Sequence, residues 1–201
     1  MKPIVVLATR NRHKLGELLA LIPGLELEFR TLADFPGAPE VVEDGKTLEE
    51  NAVKKAGSAA LFCGLWALAD DTGLEVDALG GAPGVYSARY AGPGRSYADN
   101  NLKLLAELDG VPPGRRTARF SCVMALASPG GPVTTVEGRL EGVIALAAFG
   151  ANGFGYDPLF VAAGQEKTLA ELAPEEKNAL SHRAAAVRKM EPYLRRLKAV
   201  R

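Results

Sequence analysis

Residues 4–11 read Ile-Val-Val-Leu-Ala-Thr-Arg-Asn. A short continuous apolar run rich in valine and isoleucine is typical of a buried strand in an α/β sheet, so we predict a strand over residues 4–8. After the polar residues, leucine and isoleucine recur at helical spacing until Pro23-Gly24 ends the pattern. This order of strand, polar turn and helix predicts an α/β fold.

Segments in the first half of the chain extend this prediction. Thr47 and Glu50 form a capping box before an alanine-rich helical run that ends at Gly64. Residues 65–69 have the apolar content of another buried strand, which we expect to break into the turn Asp70-Asp71-Thr72-Gly73.

In the second half, Ser96 is a good N-cap for a helix. Strands are predicted over residues 117–127 and 133–144, joined by a loose hairpin turn. They would belong to a second lobe, within about residues 80–150, of a single domain of 201 residues. A short strand over residues 159–162 and helical sequence from Pro174 onward complete the pattern.

The composition excludes several classes of partner. The 24 basic residues balance 24 acidic residues, so no global field is available to hold nucleic acid or an anionic membrane. The chain shows neither an apolar run of the ~20 residues that span a bilayer nor the apolar region of a signal peptide. We therefore expect a cytoplasmic protein without nucleic-acid or membrane partners. Cys63 and Cys122 lack metal-ligand spacing, which favours buried thiols.

The polar turn after the first strand is a candidate phosphate site. Such a turn offers an anion free backbone N–H groups and the positive end of the helix dipole. Hydroxyl, amide and ammonium groups in the turn can bind phosphate oxygens. The alternative is a capped helix with solvated cations. The candidate residues are Thr9, Arg10, Asn11, Arg12, His13 and Lys14.

Carboxylates before and after the alanine-rich helix are candidate metal ligands. Asp70 and Asp71 lie at a predicted strand end, and Glu43 can add a third carboxylate. Mg²⁺ usually binds one or two protein carboxylates together with waters and substrate phosphates. Adjacent acidic residues are also common in turns, but the nearby phosphate-binding groups favour a metal. Lys55 lies near the flank of the helix's apolar face, either facing this site or solvated at the surface.

The glycine-rich residues 153–158 are a candidate base-binding segment. Phe154 can stack on a base, and Asp157 can accept hydrogen bonds from a base edge or ribose. Glycines allow the backbone to approach a ligand closely, although the same residues also suit a packed turn.

Cationic side chains follow in the last part of the chain. Ser181 is a good N-cap, which favours a new helix that begins at His182. Lys177, His182 and Arg183 can then converge on one ligand. On a single continuous helix, His182 would instead be a surface residue.

These stretches form motifs that occur in one order along nearly the whole chain: Thr9-x-Asn11-x-x-Lys14, Glu50-Asn51-Ala52-x-x-Lys55-Ala56, Ala69-Asp70-Asp71-Thr72-Gly73-Leu74, Gly81-Ala82-Pro83-Gly84-Val85-Tyr86-Ser87-Ala88-Arg89-Tyr90, Gly153-Phe154-Gly155-Tyr156-Asp157-Pro158 and Ser181-His182-Arg183. Together they resemble the inosine triphosphate pyrophosphatase family, whose members hydrolyse non-standard purine nucleoside triphosphates. Arg10 is a departure, because glycine is usual at that position.

The resemblance implies a mixed α/β fold with a central twisted sheet, flanking helices and two lobes separated by a substrate cleft. It implies a homodimer that converts ITP, dITP or XTP to the monophosphate and pyrophosphate with Mg²⁺. Asp71 would be the general base and a metal ligand, and Glu43 a second metal contact. The residues implied to hold the substrate are Thr9 to Lys14, Lys55 and Thr72 on the phosphate side, and Phe154, Gly155, Tyr156, Asp157, Lys177, His182 and Arg183 around the nucleoside.

Two alternatives remain. A septum-formation-type nucleotide pyrophosphatase would prefer other nucleotides, and the Phe154 and Ser181-His182-Arg183 motifs argue against it. A nucleotide-sensing or RNA-binding module without turnover would have little use for the Asp70-Asp71 pair, and the neutral net charge argues against RNA.

Overall fold

The structure is a computed structural model that describes residues 2–9, 16, 18 and 20–197. Its strands form a seven-stranded sheet. They are β1 (Ile4–Leu7), β2 (Glu28–Thr31), β3 (Trp66–Val76), β4 (Pro83–Gly84), β5 (Thr117–Ala127), β6 (Val133–Ile144) and β7 (Phe160–Ala162). The α-helices with described bounds are α1 (Leu48–Cys63), α2 (Tyr97–Glu107), α3 (Pro174–Leu180) and α4 (His182–Leu194).

The sheet combines parallel and antiparallel pairs. Its strand order is β2-β1-β3-β5-β6-β7, and β4 pairs with β3. β1 is parallel to both β2 and β3, whereas β4 is antiparallel to β3 and β7 is antiparallel to β6. The mixed α/β class predicted from the sequence is therefore confirmed.

Local signals position the helix that carries Lys55. The Thr47 hydroxyl accepts a hydrogen bond from Glu50 N at 3.1 Å and so caps α1. At the other end, Gly64 adopts the left-handed conformation with φ of 63° and donates its N–H to Ala60 O. Both ends agree with the predicted helix, but Glu50 Oε2 accepts from Lys46 N at 2.6 Å and not from Thr47 N, so only the Thr47 half of the predicted capping box is formed. Ser96 likewise caps α2 as predicted.

β3 is longer than the sequence suggested. We predicted that the strand would end at residue 69 and break into a turn, but it continues to Val76. Asp70 and Asp71 therefore lie within a strand, and the predicted turn is wrong. Contacts with residues later in the chain help to extend the strand. Leu74 N donates to Ser87 Oγ at 2.9 Å, and β4 pairs with the end of β3.

The chain divides into two compact units. Unit 1 comprises Met1–Asp71, Cys122–Gly138 and Ala184–Arg201, and unit 2 comprises Thr72–Ser121 and Arg139–Arg183. The core of unit 1 includes Val5, Leu68, Met124, Val187 and Met190. The core of unit 2 includes Leu74, Leu104, Phe120, Leu159 and Phe160.

Cys63 and Cys122 are not joined in a disulfide. Cys122 is buried in the unit 1 core, as predicted, whereas Cys63 at the end of α1 is half-buried. Partial burial raises the pKa of the Cys63 thiol. Within the described residues, no helix combines the length and the apolar character that crossing a bilayer requires.

Candidate active site

Lys55 lies at the centre of a group of charged side chains in unit 1. Its Nζ donates to Asp71 Oδ1 at 2.8 Å and lies 3.1 Å from Glu43 Oε1. The Lys55 and Asp71 side chains are only 13% and 12% exposed, so solvent screens the pair weakly. The structure thus brings together the predicted base, the second predicted metal ligand and a predicted phosphate-side cation. Lys55 is not a solvated surface lysine.

Burial and mutual charge determine how these groups titrate. Burial raises the pKa of the Asp71 carboxyl; Lys55 opposes this rise and the charge of Glu43 adds to it. Burial alone would lower the pKa of Lys55, but the carboxylates of Asp71, Glu43 and Asp70 outweigh it and the pKa of Lys55 is raised. Lys55 therefore stays protonated, and Asp71 accepts a proton more readily than an ordinary aspartate.

A cavity of about 280 Å³ lies in unit 1 beside this group. Its polar wall includes Thr9, Glu43 and Lys55, and its apolar wall includes Leu32 and Phe62. Thr9 O also accepts a hydrogen bond from Leu32 N at 2.9 Å. The first residue of the predicted phosphate turn therefore lines the same pocket as Glu43 and Lys55.

The remaining residues of that predicted turn lie outside the described part of the chain. They are Arg10, Asn11, Arg12, His13 and Lys14. Thr72, the predicted phosphate contact in unit 2, is described. Its Oγ1 is buried and has no hydrogen-bond partner among the described residues. A buried hydroxyl without a partner can donate a hydrogen bond to a ligand or accept one from it.

Unit 2 holds an aromatic ring beside an ion pair. The Lys177 Nζ is 4.8 Å from the centre of the Phe154 ring and 2.5 Å from Asp157 Oδ2. The same Asp157 oxygen accepts from Phe154 N at 2.8 Å. Asp157 is 4% exposed and Phe154 is 50% exposed. The ring is thus held by buried polar contacts while part of its surface is open for stacking.

Two glycines flank Phe154, and both lie in the left-handed region, with φ of 78° at Gly153 and 63° at Gly155. A Cβ on Gly153 would collide with the Asp157 carboxylate and stand 2.9 Å from Lys177 Nζ, so the absence of a side chain allows this pair to pack. Gly155 has a φ of 63° and open space around its Cα, so there the conformation favours glycine. Asn101 on α2 donates to Gly155 O at 3.0 Å; the sequence reasoning did not single it out.

Tyr156 faces the interior of unit 2. It is 4% exposed, and its hydroxyl donates to Ser87 O at 2.9 Å. Burial raises the pKa of its phenol. The structure thus gives Tyr156 a place in the core beside the exposed Phe154 ring.

The chain breaks between α3 and α4 at Ser181, which has extended φ and ψ of −61° and 148°. The prediction of a new helix at His182 is confirmed, and the continuous helix is wrong. The His182 ring is 9% exposed and stacks on Phe120 with centroids 4.8 Å apart and planes inclined by 14°. His182 is therefore a buried residue of unit 2, and Arg183 follows it in α4.

The sequence matches the Ham1 family over residues 5–193. This chain belongs to the Ham1 family. It is 55% identical to the dITP/XTP pyrophosphatase of Geobacter sulfurreducens over 190 residues, covering 94% of this chain and 96% of that protein. A dITP/XTP pyrophosphatase of Geobacillus kaustophilus is 53% identical over 191 residues, covering 95% and 93%.

Comparison with solved structures leads to the same family. A HAM1 protein from Coxiella burnetii matches with a TM-score of 0.90 and 42% identity, covering 96% of this chain and 98% of that one. A nucleoside-triphosphatase, dITP/XTP pyrophosphatase, from Mycobacterium abscessus matches with a TM-score of 0.81 and 46% identity, covering 94% and 99%. The predicted family resemblance is confirmed.

Asn51 also contacts the group of charged side chains in unit 1. It was not identified as a site residue in the sequence analysis. Its Nδ2 donates to Asp71 Oδ2 at 3.3 Å, and its Oδ1 accepts from Gly45 N at 2.8 Å. A signal was present, because Asn51 precedes Lys55 by one helical turn within the same motif.

Proposed function

We propose that this protein hydrolyses the non-standard purine nucleoside triphosphates dITP, ITP and XTP to the nucleoside monophosphate and pyrophosphate. The observation that carries the proposal is the shielded Lys55 ammonium held between Asp71 and Glu43. Relatives named dITP/XTP pyrophosphatase support the choice of substrates.

The unit 1 group suits attack by water on a phosphorus atom. Asp71, whose pKa is raised mainly by burial, accepts the proton of the attacking water. The bond between the α- and β-phosphoryl groups breaks, and pyrophosphate leaves. Lys55 places a fixed positive charge where negative charge develops, and this kind of catalysis depends chiefly on positioning and electrostatics.

Mg²⁺ is part of the proposal. Glu43 and Asp71 offer hard oxygen ligands on either side of Lys55, and the described residues contain no cluster of three or more potential metal ligands. Two carboxylates suit an ion that completes its coordination with water and substrate phosphates. When bound, Mg²⁺ would polarise the phosphoryl group and offset its charge.

In unit 2, the Phe154 ring and the ion pair of Lys177 and Asp157 suit the purine. The exposed part of the Phe154 ring provides a stacking surface, and Lys177 and Asp157 place polar groups beside it. Hypoxanthine and xanthine carry an O6 acceptor where adenine carries an N6 donor. A donor from His182, Arg183 or a backbone N–H is satisfied by the oxygen and left unpaired by adenine, which costs about 1–3 kcal/mol, or roughly tenfold to a hundredfold.

Pyrophosphate release from dITP, ITP, XTP, GTP and ATP with Mg²⁺ tests the proposal. We expect the first three substrates to exceed ATP in kcat/KM, and equal rates with ATP would contradict the specificity. Guanine also carries O6, so the GTP rate tests whether its 2-amino group is poorly accommodated. Asp71→Asn should keep nucleotide binding within a few-fold and lose about 10²–10⁴ in kcat, the usual contribution of a general base.

The exposed Asp109→Asn is the matched control, because it removes a carboxylate from a turn of unit 2. Its kcat should equal that of the unmodified protein. Full turnover by Asp71→Asn would exclude Asp71 as the base, whereas absence of pyrophosphate from every substrate would refute the function itself.

A further inference from the structure

Helix α1 presents two polar side chains on one face, Asn51 and Lys55. Residues four apart on a helix are neighbours on its surface. Asn51 is 1% exposed and the Lys55 side chain is 13% exposed. An amide buried this completely needs hydrogen-bond partners at both ends.

Each of these two side chains bridges the same two parts of unit 1. Lys55 Nζ contacts Asp71 Oδ1 at 2.8 Å and Glu43 Oε1 at 3.1 Å. Asn51 contacts Asp71 Oδ2 at 3.3 Å and Gly45 N at 2.8 Å. Since Gly45 N–H can only donate, the Asn51 oxygen must face it, and the amide nitrogen therefore faces Asp71.

The two donors reach different oxygens of one carboxylate. A lysine has a long, flexible side chain and would by itself leave the carboxylate free to rotate about its Cβ–Cγ bond. The shorter amide of Asn51, donating to the other oxygen, restricts that rotation without adding a second charge. The Lys55 and Asn51 side chains of α1 thus determine the direction in which Asp71 presents its remaining lone pairs.

The backbone at Gly45 is shaped for this contact. A Cβ there would stand 2.5 Å from Asn51 Oδ1 and 2.9 Å from the Cβ of Glu50, closer than ordinary packing allows. Only glycine lets the segment that carries Glu43 approach the helix so closely. The carboxylate of Glu43 and that of Asp71 are therefore linked through Asn51 as well as through Lys55.

We infer that Asn51 is a positioning residue of the reaction: it orients the Asp71 carboxylate and ties to it the segment that carries Glu43. This inference rests on the proposed function. Misplacement of a catalytic group by about 1 Å can cost about a hundredfold in rate. Loss of Asn51 should therefore lower kcat more than it changes KM.

The test uses Asn51→Leu, which has a similar shape but no polar atoms. We expect kcat for dITP to fall roughly tenfold to a hundredfold while KM stays within about threefold. The Gly45 amide, followed by hydrogen exchange, should lose its protection, because its acceptor is gone. This second measurement does not depend on turnover.

Asn100→Leu is the matched control. Asn100 is also 1% exposed and on a helix, where it accepts from Ala91 N at 2.7 Å and donates to Ala88 O at 3.3 Å, but its partners are backbone groups of unit 2. It should lose stability as Asn51→Leu does, yet keep kcat per folded molecule.

Asn51→Asp is the second test variant and replaces Asn51→Leu if that variant does not fold. Its carboxylate can still accept from Gly45 N–H but cannot donate to Asp71, so kcat should fall while the Gly45 amide stays protected. If the unmodified protein turns over dITP and both Asn51 variants match its kcat, the positioning role alone is overturned. An unmodified protein without pyrophosphate release would overturn the proposed function and this inference with it.

Discussion

At the scale of single residues, Phe154 is the side chain most open to a ligand among the predicted nucleoside contacts of unit 2. Half of its surface is exposed, although Lys177 stands over the ring and Asp157 holds its backbone. The exposed part of this ring is available for stacking on a base.

Phe154→Leu should therefore raise KM for ITP roughly tenfold to a hundredfold, the value of one stacked base, with little change in kcat. Since every purine has a π face, the preference for ITP over ATP should stay nearly constant. Steady-state kinetics with both nucleotides measures this. Tyr193→Leu removes a similarly exposed ring in unit 1 and should leave KM unchanged; an unchanged KM in Phe154→Leu would mean that the ring does not stack on the base.

Single residues also show how far sequence reasoning extends. Asp71 and Lys55 were predicted from their charge and their motifs, and the structure places them in contact. Asn51 was missed because its partners lie six residues earlier, at Gly45, and twenty residues later, at Asp71. An amide has no charge to attract attention, and its use depends on what the fold brings next to it.

At the scale of elements, local signals located most helices and strands. The capping residues of α1 and α2 and the bounds of β5 and β6 agree with the prediction. β2 was not predicted, since Glu28–Thr31 is short and half polar and becomes a strand by pairing with β1. The predicted β3 was too short, because adjacent aspartates are common in turns. Within the strand, the Asp71 carboxylate is stabilised by its contacts with Lys55 and Asn51.

The loop before β7 provides a stability prediction. A Cβ on Gly150 would collide with the backbone of Ala170 and stand 2.6 Å from Glu171 N. Gly150→Ala should therefore lose about 1–3 kcal/mol from this collision, in addition to about 1–2 kcal/mol for the left-handed conformation. Urea denaturation measures the free energy of unfolding.

Gly164→Ala is the control for conformation alone. Its φ of 79° nearly equals the 81° of Gly150, but a Cβ there would have no neighbour within 4 Å. It should lose only the conformational part. Equal losses in the two variants would show that the loop moves to relieve the collision.

At the scale of the whole molecule, each unit has its own core, and the predicted site residues are divided between them. Unit 1 carries Glu43, Lys55 and Asp71, and unit 2 carries Phe154 and Lys177. Chain order does not explain this division, because β5 and β6 each contribute residues to both units. The homodimer and the cytoplasmic location stay predictions.

The buried phenol of Tyr156 predicts how stability depends on alkaline pH. Burial raises its pKa, so the folded chain keeps a proton that the unfolded chain releases near the ordinary value of about 10. The native state then binds more protons, and the free energy of unfolding must fall as the pH rises above about 10. Tyr90, whose pKa is also raised mainly by burial, should contribute in the same direction.

Tyr156→Phe separates the two effects of this hydroxyl. At neutral pH the variant should be less stable by about 1 kcal/mol, because the hydrogen bond to Ser87 O is lost. Above pH of about 10 its stability should fall less steeply than that of the unmodified protein. Urea titrations across this range measure both, with Tyr193→Phe as an exposed control; identical slopes would contradict the prediction.

The amino-acid sequence by itself determined the mixed α/β class, the helix boundaries that carry caps, and the kinds of chemical group available for phosphate, metal and base. These depend on spacing and on side-chain type within a few residues. Only the tertiary structure decided that Lys55 lies between two carboxylates, that Asn51 holds the second oxygen of Asp71, and that Tyr156 is buried. Such contacts join residues far apart in the chain, and the free energy that forms them comes from burial of whole units and not from local preference.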